Sequence, residues 1–357
     1  MIGKTLQKIR KKMSESNIDS LIIVNASNIR YLTGFCGENG YAVISRSRAL
    51  LCVNPLYIED ARSSVGSRYE IVEVKEDIFK NLAGFTRLFR GKKTGFEADH
   101  TTCSSHARLK KALAESKLVS TKGFIEAFRE VKYPYEIDAV KKAQAISERV
   151  FSHILSCVKE GVEERELALE IDYQFRKQGG ERSAFETICA SGPNTSKPHA
   201  TASQRKIASG DLVLFDMGTV VDGYASDMTR TVVLGKAGDE QKRAYMAVLD
   251  AQNAALERIC HGMKCSEADS IARNVLEKAG YGVRFVHSLG HGVGLDVHEN
   301  PYLSKRSDTV LQKNSIVTIE PGVYIPGWGG IRIEDMAVIT DNACDNLTKA
   351  PKHLIEL

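Results

Sequence analysis

The sequence lacks several features that would assign it to a large class of proteins. No apolar run reaches the 18 residues of a membrane-spanning helix. The basic N-terminal segment MIGKTLQKIRKKM has neither the apolar core nor the cleavage site of a signal peptide. The eight cysteines lie singly, without a CxxC pair, so neither a zinc ribbon nor a disulfide framework is predicted. We therefore expect a cytoplasmic protein that does not bind membranes.

An excess of charge of one sign is also lacking. The 49 lysines and arginines nearly balance the 45 aspartates and glutamates, which leaves a formal net charge of +4. Because no long basic stripe occurs, binding to nucleic acid is not expected. A GxSxG nucleophile elbow and a glycine-rich phosphate loop are missing as well. The remaining composition, 43% hydrophobic and 26% charged residues, is typical of globular domains.

Residues 1–127 show short strand and helix patterns in alternation. An amphipathic first helix is indicated by Leu6, Ile9 and Met13, which recur at helical spacing. Strands are predicted at 20–25, 41–45, 49–54 and 69–74, and a helix at 105–116. His100 and His106 have no acidic or cysteine neighbours at ligand spacing. This segment is therefore predicted to be an α/β domain without a catalytic site.

From residue 128 onward, the same order of elements occurs twice. Each half has two periodic helices ended by glycine, then a strand, one or more histidines and an apolar hairpin. The period is too long for a solenoid. We predict an internal duplication within an α+β domain at 128–357, with the two halves related by a pseudo-twofold axis.

The first hairpin, LFDMGTVVDGYASDMTRT, carries two acids among apolar residues. Asp222-Gly223 predicts a type I′ turn, which pairs Asp216 with Thr229. Asp227 then lies on the same face, since alternate residues of a strand share a face. The two carboxylates become diagonal neighbours, close enough to share a cation.

The second hairpin, at 315–340, carries a matching acid pair. A turn at Gly327 places Glu320 opposite Glu334, although Pro321 can introduce a bulge. A single acid on a strand usually faces solvent. Four acids in two matched apolar hairpins instead favour one shared site.

Four carboxylates at one seam require cations if they are to stay ionised. Two divalent ions would supply the four positive charges. His291, in GHGVGLDVHE, is the candidate imidazole ligand, and its flanking glycines would let the backbone approach closely. Oxygen-rich ligation with one imidazole favours Mn²⁺, Co²⁺, Fe²⁺ or Zn²⁺.

Four segments together resemble a known family: DMGTVVDGYASDMTRT, HSLGHGVGLDVHE, TIEPGVYIPG and GGIRIED. They resemble the M24 metallopeptidases, the group of methionine aminopeptidase, aminopeptidase P and prolidase, whose fold is called pita-bread. Residues 1–127 resemble the smaller creatinase-type α/β domain that precedes the peptidase domain in aminopeptidase P and prolidase. The resemblance implies a homodimer built from an N-terminal domain at 1–127 and a pita-bread domain at 128–357.

The resemblance also implies roles for individual residues. Two divalent metal ions, Mn²⁺ or Co²⁺ in the first place, would be bound by Asp216, Asp227, His291, Glu320 and Glu334. Glu320 would shuttle a proton, while His199 and His298 would donate hydrogen bonds to the substrate carbonyl and the tetrahedral intermediate. The pocket would further be lined by His287 and Arg332, and Arg306 is a candidate for holding a free substrate carboxylate.

The leading functional expectation is a Xaa-Pro aminopeptidase acting on short peptides with proline in second position. The alternative is prolidase, which cleaves only Xaa-Pro dipeptides. Some prolidases carry an arginine soon after the HE pair, where this chain has HENPY, and this disfavours the alternative slightly. A catalytically inactive pita-bread binding module is a remote third reading, because all five ligand positions are acid or histidine.

Overall fold

Separate clusters of buried apolar residues divide the chain into two units. The computed structural model describes residues 2–38, 40–75 and 77–357. The units are Met1–Arg129 and Glu130–Leu357, whereas the boundary predicted from the sequence follows residue 127.

A six-stranded sheet forms the centre of the N-terminal unit. The strands are β1 (Ser20–Ile23), β2 (Tyr41–Ser45), β3 (Ala49–Val53), β4 (Glu70–Glu73), β5 (Lys93–Glu97) and β6 (Lys117–Thr121). Their order is β4-β3-β2-β1-β5-β6, and only β2 runs antiparallel to its neighbours. The four predicted strands are therefore confirmed, while β5 and β6 were not predicted.

Seven helices accompany this sheet in the described residues: α1 (Ile2–Glu15), α2 (Ala26–Thr33), α3 (Ile58–Ser64), α4 (Ile78–Gly84), α5 (Thr86–Phe89), α6 (Cys103–Ala112) and α7 (Glu126–Arg129). The apolar face predicted for the first helix is confirmed, since Leu6, Ile9 and Met13 of α1 are all buried. The helix predicted at 105–116 is α6, which begins earlier because Thr102 caps its N-terminus and which ends at Ala112.

Two pairs of helices lie in the C-terminal unit: α8 (Pro134–Leu155) with α9 (Glu164–Lys177), and α10 (Asp239–Arg258) with α11 (Cys265–Lys278). Gly161 and Gly262, predicted as terminators, follow the first helix of each pair and have φ of +86° and +87°. Across the described ranges, none of the helices is both long and apolar enough to span a lipid bilayer.

Each helix pair is followed by strands of the C-terminal unit. The first set is β7 (Ile188–Ser191), β8 (Leu212–Met217), β9 (Val220–Val221), β10 (Tyr224–Ala225) and β11 (Met228–Val233). The second set is β12 (Gly290–Gly292), β13 (Glu299–Leu303), β14 (Ile316–Ile319), β15 (Gly322–Ile325), β16 (Gly329–Arg332), β17 (Asp335–Ile339) and β18 (Cys344–Asn346). They form sheets in the orders β11-β8-β7 and β13-β12-β14-β17-β18, with two short ribbons, β9-β10 and β15-β16.

The registers predicted for both hairpins are confirmed. Asp216 pairs with Thr229, and the turn residues Asp222 and Gly223 both have positive φ, as a type I′ turn requires. In the second hairpin β15 pairs with β16 and β14 with β17 in one continuous register, so Pro321 causes no slip.

Three of the four acids lie at breaks in the regular ladder, whereas Asp216 lies within β8. Asp227 falls between β10 and β11, Glu320 between β14 and β15, and Glu334 between β16 and β17. The backbone N–H of Glu334 instead donates to the carbonyl of Thr229, at 3.1 Å, which joins the two hairpins at the seam.

Candidate metal centre

The predicted site residues converge on one cavity of about 410 Å³ in the C-terminal unit. Its lining includes Asp216, Asp227, His291, Glu320, Glu334, His199, His287, His298 and Arg332. Arg306 is not in the lining. It is exposed in the turn after β13, so the structure does not place it among the residues that line the cavity.

Three of the predicted ligands form a tight buried group. Single ligand atoms of Asp227, His291 and Glu334 all lie within 4.8 Å of one another. Nε2 of His291 is 3.6 Å from Oδ2 of Asp227 and 3.3 Å from Oε1 of Glu320. Oδ1 of Asp216 is buried in the same cavity and has no hydrogen-bond partner among the described residues. An acceptor that is buried and unpaired in this way fits a cation, because desolvation otherwise destabilises it.

The imidazole of His291 is oriented as a metal ligand. Its Nδ1 lies 3.1 Å from the carbonyl oxygen of Gly292, and a carbonyl only accepts, so Nδ1 carries the proton. Nε2 then faces the carboxylates, and once it loses its proton it can offer a lone pair to a cation between them, as in a histidine whose second nitrogen is fixed by a backbone carbonyl.

Close backbone packing holds β12 in this place. A Cβ atom on Gly290 would lie 2.0 Å from the carbonyl oxygen of Thr318, and one on Gly292 would lie 2.2 Å from that of Asn300. Real Cβ atoms do not approach this closely, so the close approach predicted for the glycines beside His291 is confirmed at these two positions.

Electrostatics shows that the carboxylates need a positive partner. Burial, and then the charge of Glu334, raises the pKa of Asp227 well above its usual range. Burial and the charge of Glu320 likewise raise the pKa of Glu334. For Glu320, burial opposes ionisation, but the hydrogen bond and charge of His291 outweigh it and lower the pKa to about 2. The site therefore holds more negative charge than its own histidine and arginine neutralise.

Arg332 positions two of the proposed ligands, Asp216 directly and Glu334 through Thr229. Its Nη2 donates to Oδ2 of Asp216 at 2.7 Å, and its Nε donates to the hydroxyl of Thr229 at 3.0 Å. That hydroxyl donates in turn to Oε2 of Glu334 at 2.6 Å. Tyr324 accepts from Nη1 of Arg332 at 2.7 Å, and its hydroxyl lies 2.9 Å from Nε2 of His287.

Sequence reasoning did not identify Tyr324, although it placed Thr229 on the ligand face. The sequence offered one indication that Tyr324 belongs to the site, namely that it lies in the same predicted hairpin as Arg332. Its contact with His287 joins segments 37 residues apart and carries no local pattern.

His298 lies beside the ligand group, with its ring centroid 4.2 Å from that of His291. The next residue, Glu299, is held by a buried ion pair in which Nζ of Lys132 lies 2.7 Å from its Oε1. The Lys132 and Glu299 side chains are only 1% and 6% exposed, so the pair is strongly shielded from water. Sequence reasoning missed this pair as well.

Comparisons with known proteins identify relatives along the whole chain. Residues 138–341 match metallopeptidase family M24, and residues 5–131 match the creatinase/prolidase N-terminal domain. A Xaa-Pro dipeptidase of Pyrococcus horikoshii is 38% identical over 357 residues, covering 99% of each chain. The structure is similar to that of a Xaa-Pro dipeptidase from Bacillus anthracis, with 39% identity, a TM-score of 0.97 and 100% of each chain covered.

A solved X-Pro aminopeptidase from Thermotoga maritima is also similar, at 34% identity and a TM-score of 0.89, covering 95% of this chain and 98% of that one. These matches confirm the predicted fold, a pita-bread peptidase domain preceded by a creatinase-type domain. The chain belongs to metallopeptidase family M24.

Proposed function

We propose that the protein is a metal-dependent Xaa-Pro dipeptidase, a prolidase. The observation that carries the proposal is the buried ligand group in a cavity of about 410 Å³, in a chain 38–39% identical over its whole length to proteins named Xaa-Pro dipeptidase. The alternative stated from the sequence is thus better supported than the aminopeptidase reading, which remains second because an X-Pro aminopeptidase is 34% identical.

The proposed ligands of two divalent ions are the side chains of Asp216, Asp227, His291, Glu320 and Glu334. When bound, such ions polarise a carbonyl group and lower the pKa of a bound water. Mn²⁺ or Co²⁺ is the proposed metal, since the donors are mainly carboxylate oxygens with one imidazole.

The remaining residues bind the substrate and move its protons. Glu320 is the proposed proton acceptor, which later returns the proton to the proline nitrogen. His199 and His298 are proposed to donate hydrogen bonds to the oxygen of the cleaved carbonyl. An apolar wall of Phe185 and Ile188 in the same cavity suits the pyrrolidine ring.

The deciding experiment compares a Xaa-Pro dipeptide with the corresponding Xaa-Pro-Xaa tripeptide, each with Mn²⁺ and with Co²⁺. We expect hydrolysis of the dipeptide only, abolished by a chelator and restored by metal. Comparable cleavage of the tripeptide would identify an aminopeptidase instead.

Asp216→Asn tests the proposed metal centre. This variant is expected to reduce kcat at least 1000-fold with the fold retained, because a neutral amide is a poor ligand and would also lose the ion pair with Arg332. Wild-type-like turnover in this variant would exclude the proposed metal centre.

We also propose that the protein forms a homodimer and is located in the cytoplasm, as expected from the sequence. Light scattering coupled to size-exclusion chromatography measures the first, and a mass of one chain would contradict it.

A further inference from the structure

We infer that Glu164 is a positioning residue that holds His199 at the cavity. This rests on the proposed function, in which His199 contacts the substrate carbonyl. His199 is exposed and lies in a turn without regular secondary structure, after the 3₁₀ turn Gly192–Ser196. A side chain on such a stretch needs anchors at both ends if it is to keep a fixed place.

Glu164, the first residue of α9, provides both anchors with a single carboxylate. Its Oε1 accepts from the backbone N–H and the hydroxyl of Ser191, each at 2.7 Å. Its Oε2 accepts from the backbone N–H of Ser203 at 3.1 Å and from the hydroxyl of Ser203 at 2.6 Å. The amide of Asn194 donates to both oxygens. The two ends of the segment 191–203 are thereby joined, with His199 between them.

The chemistry of these contacts requires a carboxylate. Glu164 is fully buried, and each of its oxygens receives a backbone N–H, a group that can only donate. A glutamine in either amide orientation would turn its NH₂ toward one of these N–H groups. The charge itself is stabilised by the surrounding donors and by the N-terminal end of α9.

Hydrogen bonds also connect the segment 191–203 to strand β16 and to Arg332 beside the proposed metal ligands. The hydroxyl of Thr195 accepts from the backbone N–H of Gly330 at 2.7 Å, in strand β16. The carbonyl of Pro198, directly before His199, accepts from Nη1 of Arg332 at 3.2 Å. Arg332 also binds Asp216, so the segment that Glu164 closes is connected to a proposed ligand.

The test compares Glu164→Gln with the matched control Glu166→Gln. Glu166 lies in the same helical turn but is exposed, and its carboxylate accepts from the N–H of Glu163 at 2.9 Å, a capping contact that glutamine also makes. Both changes remove one negative charge. We expect kcat/KM for a Xaa-Pro dipeptide to fall at least tenfold in Glu164→Gln, with bound metal unchanged, and to stay within twofold of wild type in Glu166→Gln.

A double-mutant cycle distinguishes positioning from a general structural role. If Glu164 acts through His199, Glu164→Gln causes no further loss of kcat/KM in a His199→Ala background. Equal losses in both backgrounds would overturn the inference. If Glu164→Gln does not fold, Ser203→Ala replaces it in the cycle with His199→Ala. This variant removes only one hydroxyl donor to Glu164, so a smaller loss of kcat/KM is expected.

Hydrogen exchange of the segment 191–203, measured by mass spectrometry, is independent of activity. We expect at least tenfold faster exchange there in Glu164→Gln than in Glu166→Gln, and unchanged exchange would overturn the inference. If the wild-type protein hydrolyses no Xaa-Pro dipeptide, the proposed function fails, whereas the exchange comparison still decides whether Glu164 holds the segment.

Discussion

Replacing Thr229 by valine should weaken metal binding without changing any ligand. Thr229 is fully buried, and its hydroxyl both accepts from Nε of Arg332 at 3.0 Å and donates to Oε2 of Glu334 at 2.6 Å. Valine has nearly the same shape but makes neither bond. Glu334 then loses the contact that orients its carboxylate, and Arg332 loses one of its acceptors.

The expected magnitude follows from these two contacts. Hydrogen bonds to charged groups contribute about 1.5–3 kcal/mol each. Loss of a partner that orients a metal ligand typically lowers metal affinity by about 10–100-fold, or about 1.4–2.8 kcal/mol. We therefore expect Thr229→Val to shift the Mn²⁺ concentration for half-maximal activity upward by that factor. At saturating metal, kcat should recover to within about threefold of wild type, because no group that touches the substrate is changed.

Thr231→Val provides the matched control. Thr231 lies two residues along the same strand and is also buried, but its hydroxyl contacts only the backbone of Arg332, at 3.0 and 3.2 Å. Both variants should lower the free energy of unfolding, measured in urea without metal, and only Thr229→Val should weaken metal binding. Equal metal dependence of the two variants, in activity titrations or calorimetry, would refute the role assigned to Thr229.

Two further substitutions test contacts around the proposed metal site, namely the ion pair next to His298 and the close packing of β12. Lys132→Met removes a buried ammonium group from the carboxylate of Glu299 and should lower the free energy of unfolding in urea by about 3–5 kcal/mol. The double variant with Glu299→Gln should regain part of this loss, and an additive loss would contradict the pairing. Gly290→Ala places a Cβ atom 2.0 Å from a backbone carbonyl and should abolish metal binding or folding, whereas Gly66→Ala, with open space around it, should change the melting temperature by less than about 3 °C. Metal binding retained by a folded Gly290→Ala protein would show that β12 tolerates displacement.

The hairpin registers could be predicted because they depend on local chemistry. Asp222-Gly223 selects its turn by positive φ, and the two-residue period of a strand then fixes which side chains share a face. Pro321 does not shift the register of the second hairpin, because it lies at a break between β14 and β15 where no ladder hydrogen bond is needed.

In contrast, the unpredicted strand β5 carries a weak local signal. Strand β5, KTGFE, contains Gly95, which disfavours a strand in isolation. In the fold, a Cβ on Gly95 would lie 2.9 Å from the side chain of Leu21, so the glycine permits close packing against β1. Tertiary packing therefore overrides local preference there.

The contacts that support the site could not be predicted for a different reason. Lys132 and Glu299 lie 167 residues apart, Thr229 and Glu334 lie 105 apart, and Glu164 lies 39 residues before Ser203. The sequence carries no local pattern that links the two members of any of these pairs, and only the fold brings the partners together. Arg306 lies outside the cavity lining for a similar reason, since the turn after β13 has no periodic pattern from which its place could be predicted.

Folding of the two halves onto each other brings the proposed metal ligands together. Each hairpin supplies two of the four carboxylates, and their mutual repulsion opposes closure of the seam in the absence of cations. Arg230, 1% exposed, acts against this repulsion: it donates to the carbonyls of Thr229 and Glu334 and pairs with the buried Asp335. These bonds hold the backbone on both sides of the seam while the carboxylates face the cavity. Divalent ions would bind to a site that folding has already formed, and the repulsion they would remove would add to the stability of the closed seam.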